Sequence, residues 1–199
     1  MDCVKEHLGK SGKKLFGLCG PPASGKRSVQ QKLQELCPGI FFVPRFTTRP
    51  PKSEQDADVC VTREEFAAAV RQGRVVARTA SNRHNYGIRI EDLEKAAGSD
   101  CFWIGFVGST TCVAIQELFF PRAMELFFLE VDPCHLRRRL WTGKSDGSDD
   151  EDVSVHRYMQ SLDPWKIFAT HVVPNPDGQL DEVVESIARH LGLSVSVLV

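Results

Sequence analysis

"FGLCGPPASGKRSVQQKL", Phe16 to Leu33, is the stretch on which the reading of this chain turns. The apolar run "LFGLC" (15–19) ends at Gly20, and a turn rich in Gly and Pro follows. "KRSVQQKLQEL" then has helical spacing, with Val29, Leu33 and Leu36 on one face and Pro38 and Gly39 as its stop. Between strand and helix, "GPPASGK" (20–26) satisfies G-x-x-x-x-G-K. Glycines at that spacing let backbone N–H groups curl around phosphate oxygens, and the helix N-terminus adds its positive dipole. Gly20, Ala23, Ser24 and Gly25 are therefore expected to cradle the phosphates of ATP, with Lys26 as a point charge beside the transferred group. A hydroxyl directly after the lysine normally binds Mg²⁺, but Arg27 stands there and cannot ligate a cation. Ser28 brings the hydroxyl one residue late. It has two readings, a contact to Mg²⁺ or a hydrogen bond within the first helical turn.

Composition bounds the rest. A chain of 199 residues fits one domain with a small insertion or lid. With 42% hydrophobic and 26% charged residues it has the balance of a soluble globular protein. A formal net charge of -1 argues against a generally basic nucleic-acid binder, while local basic clusters still suit phosphates. No apolar run is long enough to cross a bilayer, and "MDCVKEHLGKSGKK" lacks the apolar segment of a secretory signal. The seven cysteines are scattered and form no C-x-x-C pair, so neither a zinc site nor a disulfide framework is expected. An intracellular, cytoplasmic location is the expectation.

Short apolar runs alternate with helical patterns. "IFFV" (40–43), "VCVT" (59–62), "RVVARTA" (74–80), "CFWIGFV" (101–107), "MELFFLEV" (124–131) and "FATHVVPN" (168–175) read as strands. "TREEFAAAVRQG" reads as a helix with Thr62 as N-cap and Glu65 three residues on. "IEDLEKAAG", "TCVAIQELF", "DPCHLRRRLW", "VHRYMQSL" and "QLDEVVESIARHLG" read as further helices. Residues 44–58 are polar and Pro-rich and are expected to be irregular. "TGKSDGSDDEDVS" has the composition of a mobile loop. The alternation predicts an α/β fold, a mostly parallel sheet flanked by helices. The expected single domain has a core at 14–43 and 91–199, a small insertion at 44–90 and a lid at 141–156. His84 and His135 show no partner by spacing and read as surface or structural.

"VPRFTTRPPKSEQDADVCVTREEF" (43–66) sharpens this. Its start resembles the "TTRPxR" segment of guanylate kinases and its end their "FVSxEEF". "NYGI" (85–88) resembles their "YYGT", "LRRRLWTGK" the helix leading into their lid, and "VVPNPDGQLDEVVESI" their last strand and helix. The likeness runs in order from Leu15 onward. It implies a P-loop kinase core, an acceptor-binding insertion and a lid, with MgATP as phosphoryl donor and a phosphorylated small molecule as acceptor. It implies ATP phosphates at Gly20, Gly25 and Lys26, and an acceptor phosphate at Arg49. Lys52 stands where a second arginine is usual, and Tyr86 matches the second aromatic of the YYG segment, with packing as its other reading. Arg137, Arg138, Arg139 and Arg157 match arginines that reach the phosphates. Arg137 or Arg138, with Arg157, would arrive on lid closure.

The departures matter as much. Arg45 stands in place of a Ser, Asp58 in place of a phosphate-binding Tyr, and Ala77 near the place of the Glu that reads guanine. "WIGFVGST" lacks the aspartates of "DIDxQG". Ribose 1,5-bisphosphate phosphokinases, kin of guanylate kinases, fit some of these better. Their "RYITR" resembles "RFTTR" (45–49) and their "NGSR" resembles "VGST" (107–110), while Arg27 replaces the acidic residue of their "GKDS". An arginine at position 45 suits an acceptor rich in phosphate charge. The expected acceptor is thus GMP or ribose 1,5-bisphosphate. The competing class is a non-catalytic interaction module. It is argued from Arg27, the missing aspartates and the acidic run Asp146, Asp149, Asp150, Glu151 and Asp152 near the expected lid.

Overall fold

The computed structural model describes residues 14–21, 23–51, 57–81, 83–97, 101–104, 124–142, 166 and 169–193. In chain order the elements are β1 (Lys14–Cys19), α1 (Lys26–Leu36), β2 (Ile40–Val43), β3 (Phe46–Thr47), β4 (Val59–Cys60), α2 (Arg63–Arg71) and β5 (Val75–Ser81). They continue with β6 (His84–Arg89), α3 (Ile90–Ala97), β7 (Cys101–Ile104), β8 (Glu125–Glu130), α4 (Pro133–Thr142), β9 (His171–Pro174) and α5 (Leu180–His190). One sheet has the strand order β2-β7-β1-β8-β9 and a second β4-β3-β6-β5. β2 pairs with β7 and β8 with β9 in parallel, the α/β arrangement that the alternation predicts.

The chain divides into two compact units, Met1–Phe16 with Gly39–Met124, and Gly17–Pro38 with Glu125–Val199. In the first unit, β3 runs parallel to β4 and antiparallel to β6, and β5 pairs with β6 through a register shift between Val76 and Thr79. Phe46, Phe66 and Val75 form the core between this sheet and α2, with Val59, Val61, Ala69 and Val70 packed around them. The rings of Phe46 and Phe66 stack with centroids 5.3 Å apart. The capping box expected at Thr62 is present. Glu65 N donates to Thr62 Oγ1 at 3.2 Å, and Thr62 N donates to Glu65 Oε2 at 2.8 Å.

Two strands of this unit escaped the periodicity reading. β3 lies inside the segment expected to be irregular. It is only two residues long, and it is a strand because its backbone is paired on both edges. β6, "HNYGIR", has no clean apolar alternation and is defined by pairing with β3 and β5. The strand read over 59–62 is shorter, because Thr62 leaves the sheet to cap α2.

In the second unit, α1 buries Val29, Leu33 and Leu36, the face its spacing predicted. β8 buries Leu126, Phe127, Phe128 and Leu129 in succession, as a strand covered on both faces does. α5 buries Val183, Val184, Ile187 and Ala188 and packs against α1. Lys32 and Asp181 pair at 3.2 Å between these helices. Asp132 caps α4 by accepting from Cys134 N at 2.8 Å, with Pro133 at the first helical position, where a missing N–H costs nothing. That bond to the Cys134 amide holds the Asp132 carboxyl below its ordinary pKa. The helices read at "TCVAIQELF" and "VHRYMQSL", residues 105–107 of "CFWIGFV", and the acidic run 146–152 lie outside the described residues.

Burial also separates two cysteines. Cys19 closes β1 with its side chain buried, and desolvation pushes its thiol up to about 12, opposed in part by the charge of Lys26. Cys134 is exposed at the start of α4. The thiolate is the reactive form. Iodoacetamide at neutral pH is therefore expected to label Cys134 in the native protein and to spare Cys19, read by peptide mass spectrometry. Equal labelling of the two contradicts the burial of β1.

Candidate active site

The phosphate loop belongs to the second unit. Gly20 has φ 143° and Gly25 φ 88°, and Gly25 is the N-cap of α1. A Cβ on Gly20 would lie 2.8 Å from Ser24 Oγ and 2.9 Å from the Leu129 carbonyl oxygen. A Cβ on Gly25 would lie 2.6 Å from Asn175 Nδ2. Both glycines are thus required by backbone conformation and by close approach. Lys26 folds back over the loop. Its Nζ donates to the carbonyls of Gly20 at 2.9 Å and Pro21 at 2.6 Å and to Ser24 Oγ at 3.3 Å. Ser24 is fully buried beneath it, whereas Ala23, Arg27 and Ser28 are exposed. Gly25 brings no side chain to cap α1, and no acidic residue sits in the first turn of that helix.

A polar buttress holds this loop from behind. Asn175, at the end of β9, is 5% exposed. Its Nδ2 donates to the Ser24 carbonyl at 2.6 Å and its backbone N to the Glu130 carbonyl at 2.7 Å. Its carbonyl accepts from Arg139 Nη2 at 2.8 Å. Arg139 also donates from Nε to Asp177 Oδ1 at 2.7 Å and from Nη1 to the Ala23 carbonyl at 3.4 Å. Desolvation, and then the charge of Arg138, lower the pKa of Arg139 from its ordinary value.

Of the consecutive arginines in α4, Arg139 is the one on the loop. Arg138 is ion-paired with Asp177, and Arg137 is exposed. Asp177 therefore gathers Arg138 and Arg139, with His135 Nδ1 3.8 Å from its Oδ2. His135, read from the sequence as surface or structural, stands in the first turn of α4, where the turn after β9 brings Asp177 beside it.

The acceptor-side residues belong to the first unit. Arg45 and Arg49 both converge on Asp58. Arg45 Nε donates to Asp58 Oδ1 at 2.9 Å, Arg45 Nη2 bonds Oδ2, and Arg49 Nη2 donates to the same Oδ2 at 2.8 Å. The three side chains are 29%, 11% and 8% exposed in the order Arg45, Arg49, Asp58. Arg49 Nη1 donates to the Pro50 carbonyl at 2.6 Å, and its backbone N donates to Thr47 Oγ1 at 3.1 Å. Thr47 Oγ1 in turn donates to the Asn85 carbonyl at 2.9 Å, and Asn85 N donates to Thr48 Oγ1 at 2.9 Å. The hydroxyls of "TTR" thus tie the turn after β3 to β6. Tyr86 lies under Arg45, with the guanidinium carbon 5.7 Å from the ring centroid.

Ala77 is buried with φ 49° at the bulge of β5, and it places no carboxylate there. Lys52, Arg157 and residues 143–156 of the expected lid lie outside the described residues. Among the described residues, no group of three or more His, Cys, Asp or Glu forms a metal site of its own. Nor is any helix there long and apolar enough to cross a membrane.

Comparison with known proteins follows the same lines. No family model matches the chain. The ribose 1,5-bisphosphate phosphokinase PhnN of Thiobacillus denitrificans is 35% identical over 182 residues, covering 89% of this chain and 87% of that protein. The enzyme of the same name from Pectobacterium parmentieri is 26% identical over 183 residues, covering 90% and 94%. A guanylate kinase of Thermosynechococcus vestitus is 26% identical over 157 residues, covering 74% and 76%. Among solved structures, a guanylate kinase from Anaplasma phagocytophilum superposes with a TM-score of 0.66 at 19% identity, over 92% of this chain and 86% of that one. That last likeness is one of fold.

Proposed function

Because the chain belongs to the guanylate-kinase-like P-loop kinases, the family that includes the ribose 1,5-bisphosphate phosphokinases, we propose that it transfers the γ-phosphoryl group of ATP to ribose 1,5-bisphosphate. The coarser reaction, ATP-dependent phosphotransfer to a phosphorylated small acceptor, is that of its kinase relatives. The choice of acceptor rests on position 77. A site that discriminates a base by hydrogen bonds needs a paired polar group, and a buried Ala77 offers none. A bisphosphorylated sugar presents anions instead, which Arg45 and Arg49 suit. The non-catalytic alternative is not favoured, since the relatives are kinases and the loop keeps both left-handed glycines and its lysine.

In this reading the amides of residues 20–26 hold the ATP phosphates and Lys26 offsets charge on the transferring group. An acceptor phosphate oxygen attacks the γ-phosphorus, the bond from that phosphorus to the bridging oxygen breaks, and ADP leaves with the bond's electrons. Arg45, Arg49, Lys52 and Tyr86 hold the acceptor. Arg137 and Arg157 are assigned to the developing charge on lid closure, and Arg138 and Arg139 to support of the loop. A divalent metal, Mg²⁺ in this proposal, would supply positive charge to offset the ATP phosphates when bound. Arg27 cannot ligate it, and Ser28 is the first-turn hydroxyl assigned to it.

The test is ADP formation with ATP and either acceptor. Stimulation by ribose 1,5-bisphosphate well beyond that by GMP is expected, and its absence in Lys26→Ala. GMP as the better acceptor overturns the choice of acceptor. No stimulation by either, in a protein that binds ATP, overturns the proposed reaction.

A further inference from the structure

We propose that Asp58 is a positioning residue for the acceptor phosphate, a carboxylate clamp that fixes the guanidinium planes of Arg45 and Arg49. The proposal rests on the reading of these arginines as acceptor ligands. The sequence comparison marks Asp58 only as a missing tyrosine. The backbone explains why an aspartate can do something different there. β3 and β4 pair in parallel with Phe46 opposite Val59, and Val59 N donates to the Arg45 carbonyl at 2.7 Å. Arg45 and Asp58, each one residue before its strand, are therefore neighbours by register, and their side chains meet as a two-point fork. Arg49 reaches the same Oδ2 from the turn after β3.

Two guanidiniums drawn this close repel unless an anion lies between them, and Asp58 is that anion. A buried ion pair is a weak source of stability compared with apolar packing. What it supplies well is orientation, because a fork geometry fixes the plane of an arginine. The other tethers act in the same sense. The Tyr86 ring lies under Arg45, and Arg49 is held at its Nη1 by the Pro50 carbonyl. An incoming phosphate does not exchange with Asp58, since displacement would strand a carboxylate that is 8% exposed. The arginines serve both anions at once, and the carboxylate determines the edges they present.

Asp58→Asn tests this, since it keeps the shape and removes the charge. Steady-state kinetics with ribose 1,5-bisphosphate and GMP should give an acceptor KM raised by about tenfold, the effect of one charge-assisted hydrogen bond, with the KM for ATP unchanged. A purely structural role predicts a lower active fraction with both KM values unchanged, and that result overturns the proposal. So does a lower acceptor KM, which would make Asp58 a competitor of the phosphate. Titration with inorganic phosphate, without ATP, separates this inference from the proposed reaction. If wild type turns over neither acceptor, the reaction is wrong, yet phosphate binding weaker by about tenfold in Asp58→Asn still supports the clamp, and equal or tighter binding overturns it. Should the variant fail to fold, arginine Nε–H signals of the wild type, assigned with Arg45→Lys, decide. A slowly exchanging Arg45 Nε–H that shifts with inorganic phosphate supports the clamp, and one that exchanges as in free arginine refutes it.

Discussion

Replacing Lys26 with alanine is expected to lower kcat for phosphotransfer by about 100- to 1,000-fold, the range found when one preorganised donor is removed from a developing charge. The expectation follows from where the ammonium already is. Its Nζ is held over the loop by the carbonyls of Gly20 and Pro21 and by Ser24 Oγ, so it needs no search to meet a bound phosphate. The carbonyl contacts also explain why the fold should survive. Gly20 and Pro21 are buried and lose a charged donor, which costs about 1–3 kcal/mol, a fraction of the stability of an ordinary domain. The measurements are kcat from ADP formation, ATP affinity by calorimetry and the midpoint of thermal unfolding. A variant that keeps kcat within threefold of wild type removes Lys26 from the reaction. A large fall in the unfolding midpoint, matched by lost ATP binding, makes it a structural lysine instead.

What could be read in the chain was what is local. The buried face of α1 is three residues at helical spacing, and the capping box of α2 is two residues three apart, so pattern alone located both. The phosphate loop is also local, because a tight turn needs its glycines in one short stretch. What could not be read depends on pairing. β3 has two residues and exists through neighbours at residues 59–60 and 86–87. The role of Asp58 was invisible until the β3–β4 register set it beside Arg45. The direction of the three arginines in α4 was equally hidden. Helical spacing separates them by angle, but only the position of the turn at Asn175 and Asp177 selects Arg139. One local signal for that turn was available in "PNPDG" (174–178), a Pro-Asn-Pro-Asp-Gly cluster at a strand end, where polar side chains commonly bond to backbone.

The buttress behind the loop makes Gly25→Ala the substitution expected to cost most in stability. At φ 88° an alanine carries about 1–2 kcal/mol of backbone strain. Its Cβ would also sit 2.6 Å from Asn175 Nδ2, the atom that donates to the Ser24 carbonyl. Asn175 is 5% exposed and is fixed on its other side by Glu130 and Arg139, so the amide has little space to retreat into. The bond to Ser24 is the contact that yields, at about 1–3 kcal/mol for a buried acceptor left without its donor. Strain and lost bond together amount to about 2–5 kcal/mol. ATP affinity should fall with stability, since the same shift moves the amides that hold the phosphates. The mechanism makes a sharper claim than the total. If the clash acts through Asn175, then Gly25→Ala should cost less in an Asn175→Ala background than in wild type, by about 1–2 kcal/mol, because the contacting residues share one bond. Denaturant unfolding of the two single variants and the double variant measures that difference. Strict additivity would mean that Asn175 is not what Gly25 makes room for, and the left-handed backbone alone would then account for the glycine.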